Sequence, residues 1–127
     1  MRGQISLEYL IIAIIALALV TLSLSSLNKI KSNADQSYAT LKFKSLAQDI
    51  FNAFDELCAL GNGNSRPLQI SMPASVESDT KNDVSFVTVY GSNISLSHET
   101  KCESSLSGTF ENEIVLANDN GKIIQKP

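Results

Sequence analysis

The chain has 127 residues, enough for one domain with a modest core. Its formal net charge is -3 and its lysines and arginines are scattered, so it lacks the electrostatic footprint of a nucleic-acid-binding protein. Tryptophan is absent and aromatics make up only 6% of residues, so no stacking platform for bases or sugars stands out.

The first element in chain order is the most informative. A short basic start, Met1-Arg2-Gly3, precedes Gln4-Ile5-Ser6-Leu7-Glu8-Tyr9, and residues 9–28 then carry no charge. An apolar run of this length spans a bilayer as a helix. A lone carboxylate at its entrance, Glu8, is expensive in lipid and needs a partner or a job. An ordinary secretory signal does not put an acid between its basic start and its apolar core, and no small-x-small cut site closes this run. A plain single-span anchor also fits the hydropathy, with Arg2 on one side and Lys29 and Lys31 on the other.

Helical signals continue to about Leu60 without proline or glycine, and Gly61 supplies a stop. The stretch from Ser23 to Ser37 is polar and helix-weakening, and fits a membrane-exit segment within a continuous helix. Beyond it Phe43, Leu46, Ala47, Ile50, Phe54, Leu57 and Cys58 recur at three- and four-residue spacing, an apolar stripe that must pack against something. Lys42, Lys44, Gln48, Asp49, Asp55 and Glu56 occupy the other faces. A helix from about Ile5 to Leu60 would be about 80 Å long. No small head buries such a rod, so part of it is expected to protrude into lipid or other subunits.

After Gly61-Asn62-Gly63-Asn64 the pattern turns β-like. Leu68 to Met72 is a candidate strand between Pro67 and Pro73. Val84 to Tyr90 is the strongest candidate, rich in β-branched and aromatic residues. Gly91 to Asn93 reads as a turn and Ile94 to Ser97 as the returning strand. Phe110 to Ala117 and Lys122 to Gln125 flank Asn118-Asp119-Asn120-Gly121, where the Asn-Gly pair is a hairpin signal. The expected fold class is therefore α+β, a long N-terminal helix with its apolar half protruding and its amphipathic half packed on a small antiparallel β-sheet head.

Few residues point to chemistry. His98 is the only histidine and reads as a solvated surface residue. Glu77, Asp79 and Asp83 form a small acidic loop whose spacing fits no standard calcium loop. Gly61 and Gly63 lack the lysine and helix of a phosphate-binding loop. No nucleophile elbow is present. No catalytic, cofactor-binding or metal residues are assigned, and no enzyme activity is expected. Asn93-Ile94-Ser95 is an N-glycosylation acceptor in a turn. Cys58 and Cys102, in an exported protein, are expected to form a disulfide that staples helix end to sheet. The loop they close corresponds to roughly 4 kcal/mol in the chain-entropy treatment.

The leader, Gln4, Ser6, Glu8 and Tyr9 together resemble the class III signal peptide of archaeal type IV pilin-like proteins, whose pattern is Gln-x-Ser-x-Glu-Tyr before an apolar helix. The resemblance covers about the first quarter of the chain. It implies cleavage by a prepilin peptidase between Gly3 and Gln4 on the cytoplasmic side. It further implies a membrane-anchored precursor that polymerises, with copies of itself and other pilins, into an extracellular surface filament. The segments would be a leader over 1–3, a transmembrane and filament-core helix over 4–28, and the amphipathic helix half with the β head over 29–127. In that family the glutamate, here Glu8, is thought to meet the new N-terminal ammonium of a neighbouring subunit. Cyclisation of Gln4 would remove that ammonium. The expected role is structural, with adhesion by the head as a second contribution. The alternative is a monomeric, single-span extracellular binding protein.

Overall fold

The computed structural model describes the backbone of residues 2–82 and 84–126, and side chains from Ser6 onward. Its first element, α1, runs Arg2–Leu60 without a break, so the polar stretch after Ser23 does not interrupt it. The chain divides into two units, Met1–Ala39 and Thr40–Pro127.

In the first unit every side chain from Ser6 to Ala39 is exposed. Leucines, isoleucines and valines cover all faces of the helix as far as Leu24, so it has no polar side to turn towards water. The helix is long and apolar enough to cross a membrane, and none of its apolar window is buried. Four of its hydroxyls are satisfied locally. Thr21 Oγ1 donates to the Ala18 carbonyl and Ser23 Oγ to the Leu19 carbonyl, both at 2.8 Å. Ser25 and Ser26 donate to the Leu22 carbonyl at 2.8 and 3.0 Å. Such back-bonding lets hydroxyls sit in an apolar medium without an external partner.

The second unit contains the rest of α1 and eight strands: β1 Ser65–Gln69, β2 Ala74–Lys81, β3 Val84–Tyr90, β4 Ser95–Thr100, β5 Glu103–Ser104, β6 Ser107–Phe110, β7 Glu113–Asp119 and β8 Lys122–Lys126. They form two four-stranded sheets, β1-β7-β8-β5 and β4-β3-β2-β6, where a single sheet was expected. All pairings are antiparallel except β5 with β8. The class is α+β with a pilin-like arrangement, a long N-terminal helix laid by its second half on small sheets.

Alternation along the strands gives each sheet one core face. Val87 and Val89 of β3, Val76 of β2, Leu116 of β7, Ile123 of β8 and Leu68 of β1 meet the helix residues Phe43, Leu46, Ala47, Ile50, Phe54 and Leu57. The stripe read from the sequence is thus the core face of α1. It is wider than expected, because Phe51 and Ala53 are buried too. A helix covered by two sheets buries a broader arc than one lying on a single sheet. Each fully buried side chain of this kind contributes about 1.5–3 kcal/mol.

Several strand boundaries differ from the sequence reading. Leu68 to Met72 moves to Ser65–Gln69, with Pro67 inside the strand. Proline is accommodated because β1 is a sheet edge, where its missing N–H breaks no ladder bond. Phe110 closes β6 and does not begin β7. Glu77 and Asp79 lie on strand β2, not in a loop, and Asp83 lies outside the described residues.

Candidate functional site

Glu8 and Tyr9 project from α1 into open space, and Tyr9 is 70% exposed. Ser6 shares a face with Tyr9 at three-residue spacing, while Glu8 lies on another. The Gln4 side chain and the surroundings of Gly3 lie outside what the structure describes. No ion pair forms at Glu8 among the described residues, and the next described cation on α1, Lys29, is about 31 Å further along a helix axis. The first turn of α1 holds no acidic residue, and Glu8 lies in the second turn. Glu8 is thus a carboxylate on an apolar helix with no ion-pair partner among the described residues.

The helix ends inside the head. Gly61 adopts φ 79°, and its N–H donates to the Leu57 carbonyl at 3.2 Å, the left-handed stop that glycine makes without a steric cost. Asn64 Nδ2 donates to the carbonyls of Leu60 and Gly61 at 3.0 and 3.1 Å. The buried Asn118 of β7 donates from Nδ2 to the Leu57 carbonyl at 2.9 Å and accepts from the Gly121 N–H at 2.9 Å. Asn118 therefore joins the helix end to the β7–β8 turn, where Asn120 and Gly121 both have positive φ as a two-residue hairpin requires. Sequence reasoning placed Asn118 in a turn and missed this role. A polar residue in an apolar alternation, after Ile114 and Leu116, was the available signal.

Beside this junction Cys58 on α1 is bonded to Cys102, in the turn between β4 and β5, with Cα atoms 5.8 Å apart. The pairing staples helix to sheet as expected. A disulfide suits an exported domain, and the apolar helix suits a membrane anchor. No family model matches the chain, and no curated protein or solved structure matches it.

His98 is not simply solvated. Its Nε2 lies 3.0 Å from Asp55 Oδ2 on α1, and its ring stacks on Phe51 with centroids 5.0 Å apart. Arg66 of β1 pairs with Glu56 on the same helix. These contacts lash the exposed side of the helix end to both sheets, a structural task. Asn93 is exposed in the β3–β4 turn, accessible for modification. Among the described residues no group of three or more His, Cys, Asp or Glu side chains is placed to hold a metal ion.

Proposed function

We propose that this chain is the structural subunit of an archaeal type IV pilus-like filament, cut by a prepilin peptidase between Gly3 and Gln4 and assembled through its apolar helix. The observation that carries the reading is the complete exposure of α1 from Ser6 to Ala39, in a chain whose head already has its own core. A surface of leucines and isoleucines this extensive requires a covering. Lipid supplies it before assembly, and neighbouring helices supply it in a filament.

Moving the helix from lipid into a filament exchanges one apolar contact for another. The hydrophobic gain is small and close packing must supply the attraction. Under these conditions one charge pair in a low-dielectric core has a large effect on register, because an unpaired carboxylate there is strongly disfavoured. Glu8 fits that role, with the ammonium created at Gln4 of a neighbouring copy as its partner. The staple and the Asn118 bond then hold the head on the helix while the filament bears load, and the head presents its outer surface, with an adhesive contribution.

Glu8→Gln tests the reading and separates it from a tethered monomer. It keeps shape and removes charge, so the variant is expected to be inserted and cleaved normally and to yield few filaments. Cleaved fraction on a blot and filament yield by electron microscopy read the two steps. Wild-type filament yield would contradict the electrostatic role.

A further inference from the structure

The outer face of the β4-β3-β2-β6 sheet carries a surface that the helix-and-head plan does not use. Of the five phenylalanines, Phe43, Phe51, Phe54 and Phe110 are buried in the core, and only Phe86 is not. Phe86 stands on β3 on the same face as Thr88 and Tyr90, and Tyr90 is 41% exposed. The antiparallel register sets Asp79 and Glu99 on either side of Phe86, Glu77 and Ser97 on either side of Thr88, and Ser75 and Ser95 on either side of Tyr90. A shallow groove of about 640 Å³ runs over this face, lined by Glu77, Asp79, Phe86, Thr88, Tyr90 and Ser97 among others. The outer face of the other sheet is different, with the small aliphatic residues Val115, Ala117 and Ile124.

We propose that this groove binds a neutral glycan chain. Two aromatic rings about 13 Å apart along one strand, with Thr88 between them, offer apolar faces to the C–H faces of non-adjacent sugar rings of one chain. The carboxylates between them are pure acceptors, matched to sugar hydroxyl donors in charge-assisted bonds. Thr88 and Ser97, already 2.9 Å from each other, add groups that both donate and accept. Lys81, 3.5 Å from Asp79, offsets one charge and leaves Glu77 as the uncompensated carboxylate of the groove. The net negative lining repels uronic or sulfated chains and nucleic acid, which selects uncharged polyols. The aromatic pair and its flanking carboxylates were hidden in the sequence, because their juxtaposition needs the β2–β3–β4 register.

The proposal goes beyond assembly and holds for a head on a filament or on a single anchor. The test uses the full chain in a detergent without a sugar headgroup, so a failure to form filaments leaves it unaffected. The probes are linear hexasaccharides of glucose, mannose and galactose, a hexasaccharide of uronic acid, and oligolysine. Saturation-transfer NMR is expected to show a neutral hexasaccharide bound, with its ring protons receiving saturation. Tyr90→Ser and Phe86→Ser should each weaken it about tenfold, and Glu77→Gln should weaken it as well. Val115→Ser, on the other sheet, should not change it. Circular dichroism and an intact Cys58–Cys102 bond verify that each variant is folded. The proposal is overturned if none of the neutral hexasaccharides binds at millimolar concentration, if Tyr90→Ser binds as the parent does, or if only oligolysine or the uronic chain binds.

Discussion

The side-chain amide of Asn118 lies 2.9 Å from the Leu57 carbonyl, so a strand residue caps the helix that bears the whole apolar segment. The next helix residue, Cys58, is bonded to Cys102. One covalent link and one buried hydrogen bond thus fix the same helical turn to both sheets, since Asn118 belongs to the first sheet and Cys102 leaves the second.

Removing the amide isolates the contribution of that bond. Asn118→Leu leaves the Leu57 carbonyl with the Gly61 N–H alone and turns the exposed Gly121 N–H to water, so the head should lose about 0.5–1.5 kcal/mol for each of the two bonds removed. Guanidinium unfolding of the detergent-solubilised chain, followed by circular dichroism, should show a lower midpoint at unchanged slope. An unchanged midpoint would mean that the bond contributes nothing.

The disulfide should contribute more. The double variant Cys58→Ala, Cys102→Ala is expected to lose roughly 4 kcal/mol by the same assay. Non-reducing peptide mapping of exported protein should recover both cysteines in one linked pair, and two free thiols would remove the claim.

A tight approach sets a third prediction. A Cβ on Gly91 would fall 2.8 Å from the ring of the buried Phe43, at the entry of the helix into the core. Gly91→Ala should therefore force the ring to shift and cost about 1–3 kcal/mol. Pairing it with Phe43→Leu should recover part of the loss, a coupling that independent sites would not show.

These features differ in how far the sequence reveals them. β3 was legible residue for residue because Val84 to Tyr90 is β-branched or aromatic at every position but Ser85, and the β7–β8 hairpin because Asn120-Gly121 favours a tight turn. The helix end was marked by Gly61. β2 was not legible: only Ala74 and Val76 face the core, while Ser75, Glu77 and Asp79 are the polar outer half of a strand. The short β5 and β6 have too few side chains to show a period. The second sheet follows from pairings between distant segments, which local pattern does not encode. At the N-terminus the proposed role of Gln4, Ser6, Glu8 and Tyr9 lies in contacts with a peptidase and with neighbouring subunits, of which the fold of one chain carries little trace.

The apolar helix predicts a sharp sensitivity. Ile14→Lys should add about 2.5–3.5 kcal/mol to membrane insertion and abolish filaments. Filaments of normal yield from this variant would exclude the segment from a buried core.

The most direct test of the filament reading is the N-terminal mass of this chain recovered from sheared surface filaments. The chain is expected to begin at Gln4, either as free glutamine or as pyroglutamate, and Gly3→Val is expected to block its formation. Filaments built from chains that retain Met1, or surface filaments that do not contain this chain, would contradict it.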